Sequence, residues 1–115
     1  MKELLLKLKA YGADVDGAME RFLEDIELYQ SCFNTYLEDE AFVKLGEALN
    51  KQEYDRAFEY AHTLKGITGN MGLTPLYQVI CSMVEDLRIH KNDQLVLYYT
   101  EIMKQLELLK AISNA

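Results

Sequence analysis

Apolar residues recur along this chain at intervals of three and four, the spacing that places them on one face of an α-helix. The pattern predicts a short helix over residues 2–11 that ends at Gly12. A longer helix is predicted next, capped by Asp14 or Asp16 and continuing to about residue 37. Its inward-facing residues are predicted to be Val15, Met19, Phe22, Leu23, Ile26, Tyr29, Phe33 and Tyr36.

The middle of the chain predicts a short helix followed by a tight helical hairpin. The short helix, over about 41–49, carries Phe42, Leu45 and Leu49. A longer helix then begins at Tyr54 or Asp55 and stops at Gly72. Thr74 is predicted to cap the returning helix, with Pro75 at its first helical position. The inward-facing residues of the returning helix are predicted to be Leu76, Val79, Ile80, Met83 and Leu87.

The last predicted helix begins at Asn92 or Asp93 and runs to about residue 112. Its inward-facing residues are predicted to be Leu95, Val96, Tyr99, Ile102, Met103, Leu106 and Leu109. Four long amphipathic helices with short connections predict an all-α fold, an antiparallel up-and-down four-helix bundle. The helices over 2–11 and 41–49 are expected to be accessories at the end or side of this bundle.

Length and composition favour one helical domain over residues 1–115, with a core over about 14–91 and a C-terminal helix over about 93–112. Half of the 115 residues are apolar, and there is a single proline. The net charge of −7 argues against nucleic acid as a partner, because a phosphate backbone requires a basic surface. Residues 1–53 carry 12 acidic and 6 basic side chains, whereas residues 54–115 carry 7 and 6, so the second half is nearly neutral.

The sequence also predicts a cytoplasmic protein that does not enter a membrane. The apolar run near the beginning is too short for a secretory signal, and no stretch approaches the roughly 20 apolar residues of a membrane span. Cys32 and Cys81 are isolated and lack CxxC spacing, so we expect reduced cysteines in the core. A monomer is expected.

The segment from Ala61 to Gly72 departs from the pattern of an ordinary core helix. His62 and Lys65 are three residues apart, and Gly66 and Gly69 follow His62 at four and seven residues, so all four share one face. The apolar residues of the segment occupy the other side. Each glycine inside a helix costs roughly 1 kcal/mol relative to alanine, and two of them beside one histidine suggest that a bulky group approaches the imidazole.

This face suits a histidine that accepts and then releases a phosphoryl group. An exposed imidazole with the ordinary pKa of about 6.5 is mostly neutral at cellular pH, and the neutral ring is a competent nucleophile. A lysine one turn away can pair with phosphoryl oxygens. We therefore predict that His62 is phosphorylated, that Lys65 stabilises the phosphoryl group, and that Gly66 and Gly69 give access to the site.

The string His62-Thr63-Leu64-Lys65-Gly66, followed by Gly69, Asn70 and Gly72, resembles the signature of histidine-containing phosphotransfer (HPt) domains. These are the helical carriers of multistep phosphorelays, and the resemblance extends roughly from Asp14 to Arg88. It implies that His62 is phosphorylated, that Lys65 supports the phosphoryl group, and that Gly66 keeps the site open. Some members also use a polar residue of the next helix, whereas the region around Met83 and Val84 is apolar here.

The resemblance also implies the partners. Receiver domains, of a hybrid sensor kinase or of response regulators, would supply the phospho-aspartate, the metal ion and most of the catalysis. His62 would then pass the group to an aspartate of a second receiver. The chain has no glycine-rich phosphate loop after a strand and no carboxylate cluster near His62, so we predict a relay without kinase activity or cofactor.

Three alternatives remain open from the residues themselves. Glu59 and His62 form a Glu-x-x-His pair, a spacing that di-iron bundles use. A second such pair is missing, because Leu87 stands where a glutamate would have to precede His90 by three residues. The bundle could instead only dock a partner helix, and the two glycines could permit close packing of helices. Phe58 and Glu59 are predicted to contact the partner, with Phe58 either exposed beside His62 or tucked between helices.

Overall fold

The computed structural model describes residues 2–114, and the regular structure within them is helical. The helices in chain order are α1 (Lys2–Tyr11), α2 (Val15–Arg21), α3 (Ile26–Leu37), α4 (Ala41–Asn50), α5 (Tyr54–Asn70), α6 (Thr74–Arg88) and α7 (Leu95–Asn114). The all-α prediction is therefore confirmed for this part of the chain. None of these helices combines the length and the apolar character that crossing a membrane requires.

One cluster of buried apolar side chains, drawn from all seven helices of the described residues, forms the core. Helix α5 packs between α4 and α6, α6 also packs against α7, and α7 returns to contact α4, α3 and α1. Short connections at 51–53, 71–73 and 89–94 join the helices from α4 to α7. This arrangement buries one face of α5 and leaves the opposite face to solvent.

The segment predicted as one long helix forms two helices, α2 and α3. Leu23 and Glu24 adopt left-handed backbone conformations, with φ of 56° and 60°, which a right-handed helix cannot contain. Asp25 then caps α3, because its carboxylate accepts a hydrogen bond of 3.0 Å from the backbone amide of Leu28. Leu23 was predicted to face inward, but it lies in this turn and is 86% exposed.

Helix boundaries elsewhere agree with the predictions within a few residues. Asp14 is confirmed as the cap of α2, since its carboxylate accepts a hydrogen bond from an amide in the first turn. The prediction that Thr74 caps the returning helix is wrong, because Leu73 occupies the cap position and Thr74 is already helical. The last helix begins at Leu95, and Val96 is 72% exposed rather than inward-facing.

Helix α4 belongs to the core and is not the accessory that the sequence predicted. Phe42 and Leu45 are completely buried, and the helix packs along both α5 and α7. The hydroxyl of Tyr99 on α7 donates a hydrogen bond of 2.8 Å to the carbonyl of Phe42. An added Cβ on Gly46 would overlap the Tyr99 ring, so a glycine there permits this close approach of α7.

Helix α5 ends with Met71 at the C-cap and Gly72 directly after it, which confirms Gly72 as a turn residue. Gly72 has a φ of 71°, and its amide donates to the carbonyl of Gly69 at 3.1 Å. The amide of Leu73 donates to the carbonyl of Thr68 at 3.2 Å, which completes a Schellman motif. A Cβ at position 72 would come within 2.6 Å of the backbone oxygen of Asp14, so the turn needs glycine for space as well as for conformation.

Two tyrosine hydroxyls of α3 attach the buried side of α5 to the core. Tyr29 donates a hydrogen bond of 2.7 Å to the carbonyl of Met71, just after the end of α5. Tyr36 forms a hydrogen bond with the hydroxyl of Thr68, which in turn donates to the carbonyl of Leu64. Burial raises the pKa of both tyrosines above the ordinary value, so both hydroxyls keep their protons well into alkaline pH.

Candidate functional site

His62 projects from the solvent-exposed face of α5. The opposite face of that helix is completely buried, and its members are Ala57, Ala61, Leu64 and Thr68. Because these four residues follow helical spacing, they fix the rotation of α5 about its axis and therefore the outward direction of His62. The structure thus places the imidazole where the sequence pattern predicted it, on the polar side of the helix.

The His62 imidazole packs against the ring of Phe58, one turn earlier on α5. The two ring centroids are 5.8 Å apart and the planes are inclined by 30°. Helical side chains lean towards the N-terminus of their helix, which brings the side chain of His62 over that of Phe58. Phe58 is half-buried and packs against the core, so it is neither freely exposed nor fully tucked between helices.

Arg88 of α6 extends this group of rings, although the sequence analysis did not single it out. Its guanidinium carbon lies 5.3 Å from the centroid of the Phe58 ring, the arrangement of a cation–π contact. Glu85 holds the guanidinium from one side, with 3.5 Å between Arg88 Nε and Glu85 Oε1. A signal was present in the sequence, since Phe58 and Arg88 lie roughly equally far from the 71–73 turn of an antiparallel hairpin.

The side of His62 that faces the C-terminus of α5 is open. Gly66 is exposed, and an added Cβ there would meet no heavy atom within 4 Å apart from its own helix. Lys65 stands next to Gly66 and is half-buried. The imidazole therefore has the Phe58 ring on its N-terminal side and open space on its C-terminal side. Lys65 supplies a cation beside the open side.

Gly69 has different surroundings from Gly66. A Cβ at this position would come within 3.0 Å of the Tyr77 ring on α6, which is tighter than ordinary van der Waals contact. The access role predicted for Gly69 remains a prediction, but its surroundings match the packing alternative. Gly66 and Gly69, which the sequence treats as a pair, thus differ in what covers them.

A shallow cleft lies beyond Gly69, at the C-terminal end of α5. It has a volume of about 430 Å³, and Arg21, Gly69 and Tyr77 are among its lining residues, whereas His62 is not. Arg21 donates hydrogen bonds to the carbonyls of Asn70 at 3.0 Å and Gly69 at 3.2 Å. These carbonyls belong to the last turn of α5, where a cation is favourable, so Arg21 stabilises the helix end.

The surroundings of Glu59 disfavour a buried metal site. Glu59 and His62 are both exposed, whereas the ligands of a bundle metal site project inward. Among residues 2–114 there is no group of three or more His, Cys, Asp or Glu side chains that could hold a metal ion. Met83 and Val84, on the neighbouring helix, are completely buried, so neither presents a polar group to the imidazole.

Comparison with protein families gives one match. The model of the Hpt domain matches residues 19–114, which include the C-terminal part of α2 and every helix from α3 to α7. Searches among curated proteins and among solved structures found no match. The matched region contains His62 together with the residues that surround it, from Phe58 to Arg88.

Proposed function

The chain belongs to the Hpt domain family, and we propose that His62 is the residue through which this histidine phosphotransfer module carries its phosphoryl group. The observation that supports this most directly is the open volume at Gly66, on the uncovered side of an exposed imidazole. A phosphoryl group and the surface of its donor need such space. The second histidine, His90, is exposed and lies in the turn that follows the end of α6.

The proposed transfer is a balanced exchange between an aspartate and His62. A lone pair of the neutral imidazole attacks the phosphorus of a phospho-aspartate, the bond from phosphorus to the carboxylate oxygen breaks, and the carboxylate leaves. The imidazole now holds the group as a phosphoramidate, and the reverse step delivers it to a second aspartate. Such transfers depend mostly on positioning and on neutralisation of charge. We propose that Lys65 contributes a positive charge next to the phosphoryl oxygens.

Hpt domains are phosphoryl carriers rather than kinases, and they interact with receiver domains. We propose that the receivers of a hybrid sensor kinase and of response regulators dock on the exposed face of α5, near Phe58 and Glu59. The charge distribution supports docking on this face. Helix α5 belongs to residues 54–115, in which acidic and basic side chains are nearly equal in number, whereas the excess of negative charge lies in the first half of the chain.

For the architecture behind this face, we propose an antiparallel up-and-down four-helix bundle in which α4 takes the place predicted for the helix over residues 14–37, together with α5, α6 and α7. The packing of successive helices and their short connections support this assignment. We propose further that residues 1–115 act as one domain and as a monomer. Size-exclusion chromatography with light scattering tests the monomer, because a dimer would double the measured mass.

Substitution of the two histidines in turn tests the proposed role of His62. We expect phosphorylated receiver domains to transfer acid-labile, base-stable label to the wild-type chain and to His90→Gln, but not to His62→Gln. Both side chains are exposed, so circular dichroism and the thermal midpoint should remain nearly unchanged in both variants. Label that persists on His62→Gln would contradict the proposal. Stoichiometric iron or zinc that is lost in His62→Gln alone would favour the metal alternative instead.

A further inference from the structure

We propose that Phe58 is a positioning residue for the His62 imidazole and that Arg88 keeps the Phe58 ring in place. This inference rests on the proposed function of His62 and adds a division of roles within the site. It starts from the contact between the two rings, whose centroids are 5.8 Å apart, and from the cation 5.3 Å from the Phe58 centroid. No hydrogen bond to the imidazole is present among the described residues, so the ring contact is what restrains it.

The contact with Phe58 limits the freedom of the His62 imidazole. An exposed side chain on a helix exchanges rotamers rapidly, and each exchange moves the attacking nitrogen by several ångströms. Contact with the flat face of Phe58 favours the rotamer that leans towards the N-terminus of α5. Because the Phe58 ring covers the N-terminal side of the imidazole, the uncovered side of the imidazole faces the open volume at Gly66. The donor must therefore approach from the Gly66 side.

The Phe58 ring is itself held in place by its surroundings. Phe58 is half-buried and packs against the core, and Arg88 reaches it from the neighbouring helix. The guanidinium is flat and positively charged, and it pairs with Glu85 at the same time. Contacts from both α5 and α6 thus hold the ring, so that its position does not depend on one helix alone. In this arrangement Arg88 acts on the imidazole through the Phe58 ring.

The magnitude follows from the sensitivity of transfer reactions to geometry. A misplacement of about 1 Å at the reacting atoms can slow a reaction by about 100-fold. A single ring contact restrains the imidazole less than a complete active site would. We therefore expect Phe58→Leu to lower the maximal transfer rate by about tenfold. The receiver concentration that gives half of the maximal rate should stay within about twofold of the wild-type value, because leucine keeps an apolar side chain at the position where the receiver docks.

Two matched pairs of variants test the proposal. Phe58→Leu is compared with Phe22→Leu, because the Phe22 ring is also half-buried but packs against Tyr29 rather than against His62. Phe58→Tyr keeps the ring and should restore most of the rate. Arg88→Gln is compared with Arg56→Gln, since Arg56 has the same charge and also pairs with a glutamate three residues earlier.

The readouts are transfer kinetics at several receiver concentrations and the NMR shifts of the His62 ring protons in the chain alone. We expect Phe58→Leu to remove the ring-current shift and to lower the maximal rate, and Arg88→Gln to do both to a smaller extent. The controls at Phe22 and Arg56 should do neither. A higher half-saturating concentration with an unchanged maximal rate would overturn the proposal and leave Phe58 as a docking contact only.

The NMR readout separates failure of this inference from failure of the proposed function. If the wild-type chain takes up no label, the phosphotransfer role of His62 fails, whereas the ring-current shift still reports whether Phe58 orients the imidazole. If label is taken up normally but the His62 proton shifts are the same in wild type and Phe58→Leu, the rings do not stack. That outcome would overturn the positioning role and leave the phosphoacceptor intact.

Discussion

Substitution of Gly66 by alanine should stabilise the protein while leaving the fold unchanged. The added methyl group meets open space, and the residue lies inside α5 in helical conformation. Alanine favours a helix interior over glycine by about 0.5–1 kcal/mol, and nothing in the structure opposes that gain. For a domain of this size, the thermal midpoint should rise by about 4 °C for each kcal/mol.

Gly69→Ala provides the matched comparison on the same face of the same helix. Its methyl group would come within 3.0 Å of Tyr77, so the ring must move and part of the gain in helix propensity is lost. We therefore expect Gly66→Ala to have the higher free energy of unfolding of the two variants. Urea unfolding monitored by circular dichroism measures both values under identical conditions.

Larger side chains at position 66 should block the site without unfolding the domain. The side chain of Gly66→Leu would lean back over His62, because helical side chains point towards the N-terminus. We expect phosphoryl transfer to slow by at least about tenfold, while the free energy of unfolding stays at or above the wild-type value. A destabilisation of about 1–3 kcal/mol, with a proportionate loss of transfer, would refute this reasoning and show that position 66 is packed.

The remaining predictions concern charge, the turn and pH. Lys65→Ala should change the free energy of unfolding by less than about 0.5 kcal/mol, but it should shift the measured transfer equilibrium away from phospho-His62, by at most about 1.5–3 kcal/mol. Gly72→Ala should lower the free energy of urea unfolding by about 1–3 kcal/mol, because a φ of 71° strains an alanine. Because burial raises the pKa of Tyr29 above 10.0, the folded chain binds more protons than the unfolded chain above about pH 10, and stability should fall there; urea unfolding at pH 8 and 11 should show a smaller fall for Tyr29→Phe.

Much of the fold followed from hydrophobic spacing alone, and the failures have identifiable physical causes. The stripe on α5 was predicted correctly because its buried side is continuous and ends at a glycine. The break between α2 and α3 was missed because Leu23 fits the helical spacing on both sides of it. Leucine rarely adopts a left-handed conformation, so composition gave no warning, and only Asp25 as a capping residue indicated a new helix.

The sequence also predicts some features of the candidate site and not others. Local spacing within one helix was enough to place His62, Lys65 and Gly66 on one face. The contact with Arg88 depends on how α6 pairs with α5, which a pattern within one helix does not specify. The difference between Gly66 and Gly69 depends on where the Tyr77 ring lies, and that also becomes visible only when the two helices are packed.

The tyrosine attachments of α5 have a consequence for how the module transmits information. The hydrogen bonds of Tyr29 and Tyr36 attach the buried side of α5 to the core. The backbone that carries His62 therefore has little freedom to shift when the exposed side is phosphorylated. We expect the loaded and unloaded forms to share one backbone conformation and to differ only by the phosphoryl group on His62 and its negative charge. A receiver would then have to distinguish the two forms by contact with the phosphoryl group and not by a change in backbone conformation. The receiver that donates the phosphoryl group and the receiver that accepts it would use the same docking surface.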